Sequence, residues 1–367
     1  MIEQHFGETP PFSLGIEEEI MILDARTLMP APEVQTLVGI AEGMDLPGRL
    51  KTELHASVVE LNTDVCLDAR EARDAVRTLR RTAGAIAEEN GLRIAAAGAH
   101  PRARPEDLEI VPEPRYLEFV EYAGVSARRQ GVNGLHVHVG MPGGDASLHA
   151  LDGILPWLPL VLALSANSPY LSGEEAGLAS ARAEILAMLP RRGAPPALET
   201  FADWEDLIER LMATGLVKDY TSIWWDARVH PRFGTLEIRA PDQPTSLDLT
   251  VGFVALLQAL CAHALAEPRR PPDPGSRVIY DQNRWAASRF GTRAELIHPD
   301  GDHAVAVPEL AGELLELIRP TARELGTEEL LAVIDPTGCE GDRQLEIGRR
   351  DGLEAVCRDI VERTLDF

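Results

Sequence analysis

Residues 15–20 read Gly-Ile-Glu-Glu-Glu-Ile and sit inside the strand-like run Ser13–Leu23. Three consecutive carboxylates are costly there, because β-propensity disfavours glutamate and buried charge needs a compensating partner. A strand's period of two puts Glu17 and Glu19 on one face, and Glu18 on the other beside Ile16 and Ile20. Two carboxylates on one face repel unless a cation lies between them. The alternative is a solvated edge face.

Three further segments carry similar chemistry. In His136-Val-His138 both imidazoles share one strand face, which suits a metal site or a pair of satisfied core histidines. In Lys51-Thr-Glu-Leu-His-Ala-Ser-Val-Val-Glu60, Glu53 and Glu60 would fall on opposite faces of one flat strand. A bulge or turn near Ala56-Ser57 would bring them together; otherwise they are two unrelated surface glutamates. In the segment 224–239, Pro231-Arg-Phe-Gly234 reads as a four-residue hairpin loop. His230 then faces Thr235, Arg228 faces Glu237 and Asp226 faces Arg239, all on one polar face. A cross-strand ion-pair ladder explains Arg228 with Glu237 equally well.

Around these strands the apolar spacing of Val76, Leu79, Ala83, Ile86 and Ala87 predicts a helix over Ala69–Asn90, closed at Asn90-Gly91. Short strands are expected at Arg93–Ala97 and Gly134–Val139, and a helix at about Trp204–Ala213. Two apolar stretches, Gly153–Ala166 with Pro156 and Pro159, and Val251–Ala266 with Gln258 and His263, read as buried core helices rather than membrane spans. Mixed elements without strict βαβ alternation indicate an α+β fold with a largely antiparallel sheet. Glu267–Gly275 is Pro-rich and linker-like. The apolar content beyond it is too small for a separate domain, so residues 1–367 are expected to form one domain with a C-terminal helical extension from about residue 276.

The formal net charge is −24, from 59 acidic and 35 basic residues. Such a chain repels nucleic acid and anionic membranes unless a basic patch is segregated, and no long basic run occurs. Lysine occurs only at 51 and 218, which argues against Schiff-base chemistry. No phosphate-binding Gly-x-x-x-x-Gly-Lys loop and no Gly-x-Gly-x-x-Gly after a strand occurs. A bound nucleotide would have to be held by metal and arginine. Four cysteines without a Cys-x-x-Cys pair, and an N-terminus without a basic start or apolar core, lead to the expectation of a reduced, cytoplasmic protein.

Taken together, Glu17, Glu19, Glu53, Glu60 and Glu237 with one or two histidines suit a polynuclear site for hard divalent cations. Oxygen-rich ligation without thiolate favours Mg2+ or Mn2+ over zinc.

The motifs LGIEEEI, TELHASVVELNTDVC, AAAGAHPRAR, GLHVHVG, ALSANSPY, GLASARAE and GTLEIRAPDQPT resemble the carboxylate–amine ligase family, also called glutamate–cysteine ligase type 2, of the glutamine synthetase-like superfamily. The resemblance runs from about residue 12 through NRWAASRFG at 283–291 and the DRQ at 342–344. It implies a saddle-shaped, mostly antiparallel sheet with helices packed on one face and metals on the other. It implies one metal held by Glu19, Glu53 and Glu60, and another held by Glu17, His136 and Glu237, with His138 ranked second to His136. Arg239 matches an arginine that contacts substrate or phosphate, and Arg228, Arg182, Asn167 and His138 are further candidates for catalysis or substrate binding. Asn167 could equally cap a turn, and Arg182 could be a helix-surface residue. Arg102–Arg115 has the composition of a lid loop. The implied reaction is ATP-dependent: a carboxylate, such as the γ-carboxylate of glutamate, becomes an acyl phosphate and an amine such as cysteine converts it to an amide. Small-molecule substrates and a homodimer are expected. The competing readings are a phosphotransferase of the guanidino-kinase type and a non-catalytic divalent-metal-binding protein.

Overall fold

The computed structural model describes residues 2–269, 271 and 273–367. Seven strands form the main sheet: β1 (Leu14–Asp24), β2 (Gly48–Thr52), β3 (Val58–Thr63), β4 (Leu92–Ala95), β5 (Leu135–Gly140), β6 (Ala227–His230) and β7 (Thr235–Ile238). Their order is β6–β7–β5–β1–β3–β2, with β4 alongside the far half of β1. Every pairing is antiparallel. The acidic strand is therefore interior to the sheet and not a solvated edge.

β1 alternates as period two demands. Leu14, Ile16, Glu18 and Ile20 are buried, while Glu17 and Glu19 are half-buried on the opposite face. Glu18 goes into the helix-packed side, where Arg80 of the helix Ala69–Glu89 donates Nε and Nη2 to it at 2.8 and 2.6 Å. Gln243 Nε2 and Thr250 Oγ1 complete its shell. Arg80 gives its other donors to the carbonyls of Thr245, Pro244 and Thr364. A buried ion pair is tolerable when its remaining hydrogen-bonding capacity is filled in this way.

The helix Ala69–Glu89 is capped by Asp68, which accepts from the amides of Arg70 and Glu71, and the chain leaves it through Gly91 at φ 71°. The proline-bearing stretch begins earlier than its apolar run suggests. A helix Gly144–Ile154 leads through a 3-10 turn, Leu155–Trp157, into a second helix, Leu158–Ser165. Pro156 and Pro159 occupy first-turn positions, where no amide donor is needed. This run and Leu247–Ala266 are long and apolar enough to cross a membrane, and both are mostly buried inside the protein.

The segment after residue 276 packs into the main core. Tyr280, Ala287, Leu310, Leu314 and Ile318 belong to the same buried cluster as Val137 of β5 and Leu236 of β7. It is also not purely helical, because Glu295–Ile297 and Ala304–Ala306 form a small antiparallel pair.

Candidate metal centre and substrate cavity

Strand register gathers the polar face of the sheet. Directly opposed residues share a face. Glu19 stands opposite Glu60, Glu17 opposite His136, Glu237 opposite His138 and Arg228 opposite Glu237. Glu53 joins from the turn between β2 and β3, which returns the chain over residues 53–57. The turn near Ala56-Ser57 is what brings Glu53 and Glu60 onto one side.

Two groups of three ligand atoms result, each within 4.8 Å of one another: Glu19, Glu53 and Glu60, and Glu17, His138 and Glu237. The structure thus groups His138, and not His136, with Glu17 and Glu237. His138 Nδ1 is satisfied by Thr235 Oγ1 at 2.9 Å, leaving Nε2 buried without a hydrogen bond, 3.6 Å from Glu17. A free imidazole nitrogen aimed among carboxylates has the form of an open ligand. His136 lies between the groups, with Nδ1 3.2 Å from Glu17 and Nε2 3.8 Å from Glu19.

The groups differ electrically. Burial pushes the Glu237 carboxyl up, but Arg228 and Arg239 outweigh it and hold it well below the usual range. Glu17 is likewise held low, because the adjacent imidazoles of His136, which hydrogen-bonds to it, and His138 overcome its burial. In the other group the compensation, from Arg182, Arg239 and the Gly134 amide on Glu19 and from Lys51 on Glu60, falls short of the cost of burial. Burial raises Glu19, Glu53 and Glu60, and for Glu60 the neighbouring Glu17 and Glu53 push it well above its ordinary value. Lys51 is 3.8 Å from Glu60. Burial, then Arg239, lowers His136 to about 4, so it is a neutral imidazole at pH 7. The donor set, five carboxylates and neutral imidazole, fits hard divalent cations such as Mg2+ or Mn2+.

The arginines divide by task. Arg228 spends its nitrogens on Glu237 (2.5 Å from Nε) and on the carbonyls of Thr221 and Ile223, so it fixes Glu237. Arg239 pairs with Glu237 and has Nη1 3.4 Å from His136 Nδ1. Arg182 is not a helix-surface residue. It is buried, with Nη1 and Nη2 on the carbonyls of Ala240 and Arg239. Both Arg182 and Arg239 line a cavity of about 510 Å³ whose floor includes Glu19, Glu53 and His136. Tyr116, Phe119, Tyr122 and Trp224 form part of its walls, and Arg115, at the end of the stretch read as a lid, also reaches it.

Two candidates lie elsewhere. Asn167 is fully buried and donates to the Gln243 carbonyl and Thr245 Oγ1, while its own amide donates to Asp242. It ties loops together behind the sheet and is absent from the cavity lining. Asp226 sits at a bend between short strands, and its carboxylate accepts from Tyr280 and Arg284 of the helix Pro274–Phe290 instead of joining the polar face with Arg239. Sequence reasoning missed Gly134, whose amide donates to Glu19 at 2.5 Å, and Asp242, which accepts from Ser168 and Ser180 and lies 3.9 Å from Arg182. The APDQPT segment beside Glu237 was the available signal for Asp242.

The profile of Glutamate-cysteine ligase family 2 (GCS2) matches residues 13–351. The chain belongs to this family. A relative from Rubrobacter xylanophilus, named "Putative glutamate--cysteine ligase 2-3", is 39% identical over 99% of this chain and 100% of its own length. Another from Sorangium cellulosum, named "Putative glutamate--cysteine ligase 2", is 37% identical over 96% of each chain. The fold is shared more widely. A glutamate–cysteine ligase from Francisella tularensis, solved in complex with AMP, aligns with a TM-score of 0.65 at 13% identity, over 98% of this chain and 90% of that one. A bifunctional glutathione synthetase from Pasteurella multocida aligns with a TM-score of 0.68 at 15% identity, over 97% of this chain and 53% of that one. These likenesses establish the mixed α/β, antiparallel-sheet fold of this GCS2 chain.

Proposed function

We propose that this GCS2 chain is an ATP-dependent carboxylate–amine ligase, joining an acid such as glutamate to an amine such as cysteine. The observation that carries the reading is the juxtaposition, on one sheet face, of two three-ligand groups with a cavity lined by Arg182 and Arg239. The family's name and those of the relatives support it. Glu19, Glu53 and Glu60 would hold one divalent cation, and Glu17, His138 and Glu237 another, with His136 beside both. Bound there, the cations would neutralise phosphate charge and orient the transferring group.

The substrate carboxylate is its own nucleophile: its oxygen bonds to the γ-phosphorus of ATP as the bond to ADP breaks. The amine nitrogen then bonds to the acyl carbon, the carbon–oxygen bond to phosphate breaks, and the amine loses a proton. No serine, cysteine or lysine nucleophile is required. Arg239 and Arg182 present fixed positive charge where phosphoryl charge develops, and Arg228 keeps Glu237 in register. We further propose one catalytic domain over the whole chain and a cytoplasmic location, supported by four cysteines outside any disulfide. We propose a homodimer on the prevalence of that state, to be checked by light scattering.

The test is ADP release from ATP and Mg2+ with L-glutamate, with and without L-cysteine, alongside mass detection of the amide. Cysteine-dependent ADP and γ-glutamylcysteine, lost in a Glu17→Gln/Glu237→Gln variant, are expected. ADP without amide would redirect the search to other amines. Transfer to a stable phosphorylated product would replace the reading by a phosphotransferase, and ATP binding without turnover would replace it by a metal-binding protein.

A further inference from the structure

Arg191 stands in the cavity wall formed by Tyr122, Trp224 and Ser222. Its guanidinium lies 5.8 Å from the Tyr122 ring centre and 5.3 Å from that of Trp224. Nε donates to the Ser222 carbonyl at 3.1 Å and Nη1 to the Tyr122 hydroxyl at 3.2 Å. Among the described residues no carboxylate lies within ion-pairing distance of it. That is unusual company for an arginine in a chain with 59 acidic and 35 basic residues. The neighbouring cation of the wall, Lys218, is already paired with Glu118. Arg191 also has a backbone φ of 56°, a left-handed conformation that side chains other than glycine seldom adopt. Such outliers persist where the surroundings over-determine them, often in ligand sites. Here the Arg191 carbonyl accepts from the Trp224 amide at 3.0 Å, locking the residue to the short strand that carries the aromatic wall.

We propose that Arg191 is the anchor for a non-reacting carboxylate of a substrate, so that the cavity reads its ligand at two ends: the reacting group at the Glu19–Glu53 floor and a second carboxylate at the wall. The inference rests on the ligase reading only for the identity of the reacting end. A planar guanidinium held by two aromatic rings and two hydrogen bonds keeps donors free for a carboxylate and loses little side-chain freedom on binding. The anchored carboxylate belongs either to the acid or to the amine, and the test separates them.

Binding is measured directly by equilibrium dialysis on the full chain with Mg2+ and a non-hydrolysable ATP analogue, which does not depend on turnover. The probes are L-glutamate against its α-amide, and L-cysteine against L-cysteinamide. Arg191→Met removes the charge, and Arg191→Gly removes it while relieving the backbone, which protects against a folding artefact. The expected result is a tenfold or greater loss of affinity for one carboxylate probe in both variants, with its amide already weak in the wild type and unchanged by substitution. Loss confined to glutamate assigns the anchor to the acid, and loss confined to cysteine assigns it to the amine. Equal binding by wild type and variants, no carboxylate binding by any of them, or a loss seen only for the nucleotide analogue overturns the proposal. Absence of ligase turnover with Arg191-dependent binding intact would instead overturn the reaction assigned above and leave this anchor standing.

Discussion

Gly134 lies directly beneath the Arg182 guanidinium: a Cβ built at Gly134 would overlap it, 2.6 Å from Cζ. The same glycine donates its amide to Glu19, so one residue without a side chain seats both a metal-ligand candidate and a cavity arginine.

Gly134→Ala is therefore expected to push Arg182 out of its seat, because the added Cβ would stand closer to the guanidinium than van der Waals contact allows. Ligase activity should fall by about ten- to a hundredfold, the scale of roughly ångström misplacement. Stability should fall by about 1–3 kcal/mol. Steady-state kinetics beside a urea titration would check this, and unchanged kcat/KM would show that Arg182 does not need that seat.

The two histidines of β5 are expected to behave differently. His138 Nε2 has no hydrogen-bond partner, whereas His136 is engaged with Glu17. His138→Asn should weaken Mg2+ or Mn2+ binding by about tenfold or more, and His136→Asn by less. Calorimetric titration of Mn2+ into each variant would decide it, and the reverse order would return His136 to the ligand set.

Glu60→Gln removes one of three carboxylates that repel one another without a cation. The metal-free variant should be more stable than the wild type, by about 2–4 °C in Tm for each kcal/mol of relieved repulsion. The rise in Tm on adding Mg2+ should shrink. Thermal scans with EDTA and with Mg2+ measure both, and a full Mg2+ response in the variant would exclude Glu60 as a ligand.

His100 sets an acid limit on the fold. Its Nε2 donates to the Leu28 carbonyl, and its Nδ1 accepts from the amides of Arg102 and Ala103. Protonating Nδ1 would break both acceptances. Burial lowers its pKa to about 4 from an ordinary 6.5. Between those values the unfolded chain binds the extra proton, so the contribution is complete above pH 6.5 and declines as pH falls towards 4. It amounts to on the order of 3 kcal/mol. His55, lowered to about 4 by burial, acts in the same direction. Urea midpoints at pH 7.5 and 4.5 should therefore differ more for the wild type than for His100→Asn, whose shorter side chain can still accept from those amides.

Much of this was legible locally. Period two in Gly15–Ile20 placed Glu18 opposite to Glu17 and Glu19, and the Pro-Arg-Phe-Gly loop fixed Arg228 against Glu237, because both follow from short-range geometry. The choice between His136 and His138 was not. It depends on β7 reaching β5 in the register that sets Glu237 against His138, a pairing between segments about a hundred residues apart. Burial of Arg182 and Asn167 was equally hidden, since a helix-start arginine and a loop asparagine look solvent-facing until distant loops close over them. Asp226 was misplaced because a bend, invisible to alternation, turns its side chain towards Tyr280 and Arg284.

The partners of Arg80 have a biosynthetic consequence. The central strand emerges from the ribosome early, yet the buried cluster beneath Glu18 draws on Gln243, on Thr245 and on Thr364, 284 residues beyond Arg80. Until translation has passed all of these, Glu18 remains a charge without its full shell, although Ile20–Leu23 can already pair with Val58, Val59 and Arg93–Ala95. Such distant closures are slow and leave sticky intermediates. A chain ending before Thr364 would therefore leave the buried Arg80–Glu18 pair with unfilled hydrogen-bonding capacity, and should fold less stably than the full chain.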